Sequence, residues 1–187
     1  MEITLIRHGR SSHINDSPMT FPDFNEWVKK YDSYGILENE TFPSGSAEIV
    51  RSASMLITSD LQRSIESARL LNPAAKIKAE LLFREAELPS TGIGPKSLKL
   101  KPKYWAVLLR VLWFLGYGKG CESYPEANAR AKEAALKLIS YAKEHQSAIL
   151  VGHGIFNQMI AKELQKMGWK GQHRTNSKHW HETTYKI

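Results

Sequence analysis

The sequence predicts an α/β fold, a single domain in which a mostly parallel sheet carries helices on both faces. Three observations predict it. Short apolar runs at 2–7, 55–58 and 148–151 have the length of strands. Segments with the length and patterning of helices alternate with them. No internal repeat, low-complexity tract or linker divides the 187 residues.

The first strand, at 2–7, ends on Arg7-His8-Gly9. A polar, turn-rich stretch follows to Ser46, with Pro18, Pro22, Gly35, Pro43 and Gly45 along it and a short helix over 23–31. Met55-Leu56-Ile57-Thr58 reads as a second strand. Ser59 then caps a helix from Asp60 to Leu71, stopped by Asn72-Pro73. A short strand at 76–79 leads into Leu81-Leu82-Phe83-Arg84-Glu85.

Residues 89–103 are rich in Pro, Gly and Lys and read as a loop, the start of a variable insertion around 88–120. It runs into an apolar helix over 104–115 with one charge. A membrane span takes about 20 apolar residues, so this helix is too short to cross a bilayer. Its plain reading is a buried or half-buried helix. A lid over a binding site, a dimer contact and a membrane-surface contact are the alternatives, and as a lid it would let Trp105 and Trp113 influence substrate choice. These tryptophans, with Trp169 and Trp180, are read as core or rim rather than as stacking platforms for bases.

The clearest helix covers 123–144, where Ala127, Arg130, Ala131, Ala134, Leu138 and Tyr141 recur on one side. It feeds the strand at 148–151, which ends on Gly152-His153-Gly154, and then a helix over 155–167. Residues 183–187 form a final edge strand.

A formal charge of +7 and a pI near 9.4 favour acidic ligands. The basic residues are dispersed, with a mild cluster at Lys96, Lys99, Lys101 and Lys103, and no nucleic-acid-binding motif appears, so nucleic acid is not expected as a partner. Cys121, the single cysteine, excludes an intramolecular disulfide and a four-cysteine metal site. Its neighbours Gly120 and Glu122 offer no activating base, which makes it a bystander thiol. A strand starting at residue 2 is read as leaving no room for a signal peptide, and a cytoplasmic protein is the expectation. His179 and His181 alternate, but with no third ligand evident no metal site is expected there.

Two histidines, His8 and His153, stand at the tips of separate strands, each followed by glycine. Strand ends of one sheet converge on one crevice, so the two imidazoles should meet. Arg7 beside the first histidine specifies an anion there, phosphate above all.

Several blocks, in order along the chain, resemble the histidine phosphatase superfamily, also called phosphoglycerate mutase-like. Arg7-His8-Gly9 matches its mark at the end of the first strand. The block from Thr58 to Ala68 is similar to the one that supplies a second phosphate-binding arginine, here Arg63. Phe83-Arg84-Glu85 is similar to the block carrying the proton donor. Gly120-Cys121-Glu122-Ser123 with Arg130 resembles the start of the penultimate long helix, and Val151-Gly152-His153-Gly154 the second histidine block. The resemblance runs from about residue 2 to 160.

It implies a phosphoglycerate mutase-like fold and a phosphatase that needs neither metal nor cofactor. His8 would be the nucleophile, Arg7, Arg63 and His153 the phosphate-binding groups, and Glu85 the general acid, with His153 counted among the catalytic residues. The chemistry agrees with these residue types. A neutral imidazole can attack phosphorus and split one hard displacement into two. Guanidinium forks suit the equatorial oxygens, and a protonated His153 would add a donor. Glu87, two residues from Glu85, is the competing acid.

The expected substrate is a phosphate monoester, on a small molecule or a phosphoprotein, and a homodimer is left open. A phosphoglycerate mutase is the alternative enzyme, although no mutase substrate loop is recognisable after Arg10. A non-catalytic phospho-ligand binding module is the alternative of another class. Three positions depart from the family pattern. Arg10 stands where Glu or Gln is common, adding charge to the pocket or pointing into solvent. Asp60 replaces a frequent proline and would serve the helix N-terminus. Asn15 is one position away from the family's asparagine, so that role is not transferred.

Overall fold

A five-stranded sheet in the order β3-β2-β4-β1-β5 organises the chain. The computed structural model describes residues 1–37, 40–92, 94 and 97–187, so Lys96 of the basic cluster lies outside the described residues. Strand β1 (Glu2–Arg7) and β4 (Ser147–Gly152) pair in parallel at the centre. Next come β2 (Met55–Thr58), parallel to β4, and β3 (Lys76–Ala79), parallel to β2. Strand β5 (Glu182–Lys186) closes the other edge antiparallel to β1. The apolar runs become strands because Ile3, Leu5, Ile6, Leu56, Ile57, Leu150 and Val151 are all buried, which takes helices on both faces of the sheet.

Helices α1 (Phe21–Ser33), α2 (Ser44–Arg51), α3 (Gln62–Leu71), α4 (Pro102–Phe114), α5 (Tyr124–His145) and α6 (Gly154–Lys166) supply the covering layers. One core lies under α5 and α6, where Ala127, Ala131, Ala134 and Leu138 meet Phe156, Ile160 and Leu164. The opposite face is covered by α2 and α3 through Val50, Ala68 and Leu71. A third cluster joins α1 to α4 through Phe24, Trp105 and Leu109. Helix α5 begins at a capping box, Ser123 with Glu126, which satisfies donors that a helix start leaves orphaned.

The structure corrects the sequence reading in two places and, for α4, selects the plain reading over the lid. Helix α2 occupies residues that had read as turn-rich and unassigned. Helix α3 starts at Gln62 with Leu61 as N-cap, so Ser59 does not cap it. Trp105 and Trp113 are fully buried, their indole N–H groups donating to the carbonyls of Met19 and Glu122, both at 2.8 Å. They face the core rather than a pocket. Truncating a buried aromatic of this size costs about 3–5 kcal/mol, so alanine variants there would report stability instead of specificity.

Candidate active site

The register of the two central strands brings the histidines together. Arg7 pairs with Gly152, and the next residue after each strand is a histidine. The His8 N–H donates to the Gly152 carbonyl at 3.0 Å, and the two rings stand edge to face with centroids 5.0 Å apart. Glycine is needed beside them, since a Cβ on Gly9 would lie 2.1 Å from the Trp180 ring and one on Gly152 2.4 Å from Asn157 Oδ1.

His8 is buried and its tautomer is fixed by one bond. Nδ1 lies 2.6 Å from the Gly9 carbonyl oxygen, which can only accept, so Nδ1 carries the proton and Nε2 holds the lone pair. Burial first, then the charges of His153 and Arg63, holds the His8 pKa well below the usual imidazole range. The ring is therefore neutral at physiological pH, the form in which an imidazole is a nucleophile. Arg63 Nε donates to Nε2 at 3.3 Å.

Helix α3 positions these groups through its serines. Ser67 Oγ accepts from the Gly9 N–H at 2.8 Å, and Ser64 donates to the Val151 carbonyl, clamping the helix to the tips of both histidine strands. Arg63, one residue before Ser64, is thereby aimed at His8. Its guanidinium is also held by Asp32 at 2.9 Å and by the Tyr31 carbonyl, and it lies over the Tyr31 ring. Burial pushes the Tyr31 phenol up, opposed by the charges of Arg63 and Arg7, while Glu85 adds to the rise. These charged groups therefore converge around one ring.

His153 differs from the sequence expectation of a protonated donor. Burial, then Arg63, Arg7 and Arg130, holds its pKa well below the usual range. Its Nε2 lies 2.7 Å from Ser59 Oγ, which also accepts the Leu61 N–H at 3.3 Å. When the hydroxyl donates to Nε2, the ring's own proton sits on Nδ1. That Nδ1 is buried with no partner among the described residues, and so is Arg7 Nε. Buried donors without partners are rare, and anionic oxygens would satisfy both. Ser59 is thus a site residue hidden behind the signature of a helix cap.

Glu85 sits at the N-terminus of α6, directly after His153. Its carboxylate accepts from the N–H groups of Phe156 at 2.8 Å, Ile155 at 3.2 Å and Ala86 at 3.0 Å. Arg130 holds the carbonyls of Leu82 and Arg84, both at 2.9 Å, and is itself gripped by Glu122, so the segment carrying Glu85 is pinned from α5. Glu87 is exposed and makes no comparable contact with α6 among the described residues. Arg10 pairs with Glu40 and is 71% exposed, which puts it in solvent. Asp60 forms a two-pronged pair with Arg84 rather than serving the N-terminus of α3.

His179 was not foreseen in the site. Its Nδ1 donates to the His8 carbonyl at 2.7 Å and its ring is 5.4 Å from that of His8. Burial, then Arg7, lowers its pKa. Its path there was legible in principle: β5 runs antiparallel to β1 with Glu182 opposite Ile6, so residues just before 182 arrive at the His8 end.

A cleft of about 650 Å³ opens beside these groups. Arg7, Arg63 and Glu85 line it together with Phe24, Trp27 and Val28 of α1, Lys103, Ala106 and Arg110 of α4, and His13, Asn15 and Asp16 of the loop after β1. Trp27 and Tyr31 stack 5.1 Å apart. Arg110 donates to the Ala86 carbonyl at 2.6 Å and the Glu87 carbonyl at 3.3 Å, tying α4 to the segment that carries Glu85.

A sequence model of the histidine phosphatase superfamily (branch 1) matches residues 45–184, and the chain belongs to that family. The match contains Arg63, Glu85 and His153, while Arg7 and His8 join them through β1. Solved structures share the fold. Mycobacterial glucosyl-3-phosphoglycerate phosphatase in complex with VO3 is similar at a TM-score of 0.60 and 18% identity, covering 98% of this chain and 91% of that one. A putative alpha-ribazole-5'-P phosphatase from Escherichia coli gives 0.59 and 14%, covering 98% and 89%. The product of the open reading frame Rv3214 of Mycobacterium tuberculosis gives 0.59 and 13% over the same shares. No curated protein matches the chain by sequence.

Proposed function

We propose that the protein is a metal-independent phosphatase that hydrolyses phosphate monoesters through a phosphohistidine on His8. The observation that carries this reading is the state of His8. It is buried, neutral and oriented by Gly9, with its lone pair on Nε2 beside the Arg63 guanidinium.

In the first step His8 Nε2 attacks phosphorus and the bond from phosphorus to the leaving oxygen breaks. Arg7, Arg63 and the Nδ1–H of His153 surround the equatorial oxygens, where negative charge must be held in a group of this kind. Glu85, in its protonated form, gives its proton to the leaving oxygen. In the second step the Glu85 carboxylate takes a proton from water, whose oxygen attacks phosphorus and releases His8. The fixed cations supply the charge neutralisation that a metal supplies in other phosphoryl-transfer sites.

The cleft indicates the leaving group. Its volume and largely apolar walls suit the body of a small molecule rather than the surface of a folded phosphoprotein. A panel of phosphate esters tests the reading, assayed in EDTA and with or without a bisphosphoglycerate primer. Phosphate should be released in EDTA without the primer, and fastest from esters with an aromatic or apolar body. A requirement for a divalent ion, or phosphate transfer between substrates that depends on the primer, would contradict it.

A further inference from the structure

Helix α4 has two ordinary faces and one unusual one. Trp105, Leu109 and Trp113 are buried, and Lys103, Ala106 and Arg110 line the cleft. The remaining arc is Tyr104, Val107, Leu108, Val111 and Phe114, continued by Leu115, each between 37 and 79% exposed. Their spacing of three and four residues places them in one stripe. A surface helix normally carries polar residues on that side. Here the only charge on the arc is Lys103 at its edge, with its ammonium 5.0 Å over the Tyr104 ring. A contiguous apolar stripe this large on an exposed helix marks a surface that meets something.

We propose that this face of α4 rests on an anionic membrane surface. Charge selects the occupant. Residues 88–121 contain Lys96, Lys99, Lys101, Lys103, Arg110 and Lys119 and no Asp or Glu. Among the described residues Lys101 pairs with Asp16, and Lys103 and Arg110 line the cleft, which leaves the exposed Lys99 and Lys119 for lipid phosphates. An apolar stripe of aromatic and branched residues with lysines at its margins is the pattern of a helix that lies in the interface plane. At 13 residues α4 is too short to span, and no described helix is long and apolar enough to cross a membrane. A second copy fits less well. It would set this cationic segment against an identical one with no acidic residue in either to pair with. One short helix also falls below the roughly 800 Å² per partner of a stable interface.

The proposal is independent of the catalytic reading, and its test reads binding. The protein is floated with vesicles of phosphatidylcholine alone and of phosphatidylcholine mixed with phosphatidylglycerol. Binding should be at least tenfold tighter to the mixed vesicles and should weaken with salt. Val111→Asp, at an exposed position, should remove it while the thermal melt and the activity on a soluble ester stay unchanged. Lys99→Glu with Lys119→Glu should weaken binding to the anionic vesicles alone. No preference for anionic vesicles, or binding undiminished in Val111→Asp, would overturn the proposal. So would a dimer in sedimentation that Val111→Asp dissolves while the parent binds no vesicle.

Discussion

His8→Ala should lower kcat by about three orders of magnitude or more on every substrate tested, because removing the nucleophile leaves only direct attack by water. The loss should be independent of leaving group, since both steps of the proposed cycle pass through the His8 nitrogen. The variant should remain folded, since the His8 ring bonds only to its neighbour's carbonyl and to Arg63, whose guanidinium stays held by Asp32 and the Tyr31 carbonyl. Substrate affinity should change far less than turnover, because Arg7, Arg63 and His153 remain to hold the phosphate. Steady-state kinetics with a thermal melt on the same sample checks both halves. A His8→Ala enzyme within tenfold of the parent would move the nucleophile elsewhere, and His153 and His179 would be the next to replace.

Glu85→Gln should divide substrates by their leaving groups. Alkyl phosphates need a proton on the departing alkoxide and should slow by about 10²–10⁴-fold, the usual span of general acid catalysis. p-Nitrophenyl phosphate, whose phenolate leaves unaided, should slow much less. The position of Glu85 against α6, next to His153, makes it the better candidate than the exposed Glu87, and Glu87→Gln should show no such split. Glu85 also holds two N–H groups at the start of α6, so the substitution should cost some stability. If the melting temperature falls and the two substrate types slow equally, Glu85 is a structural cap and the acid lies elsewhere.

The sheet was legible because its signal is local. β2 and β3 form where short apolar or alternating runs stand between turn residues, and the parallel pairing of β1 with β4 follows from helices inserted between strands. The site was half legible. Arg7, His8 and His153 declare themselves at strand ends, and register then brings the two rings together. Ser59 was misread because a serine before a helix is the ordinary cap signature, whereas here its hydroxyl is claimed by His153 from 94 residues away in sequence. Asp60 likewise answers to Arg84 rather than to the helix beside it. His179 lay beyond any spacing rule, since only the antiparallel return of β5 delivers it to His8. The tryptophans of α4 take the plain core reading, and the lid alternative that turned them to the substrate fails. The helix is apolar all round, and composition alone cannot say which side meets the core.

The central claim is covalent, and a rapid acid-free quench of the unaltered enzyme with substrate carrying a labelled phosphoryl group tests it most directly. The account predicts label on the protein within one turnover, stable to base and lost in acid, in a peptide that contains His8 and absent from His8→Ala. Label that survives acid and is lost in base, or turnover with no label on His8, would contradict it.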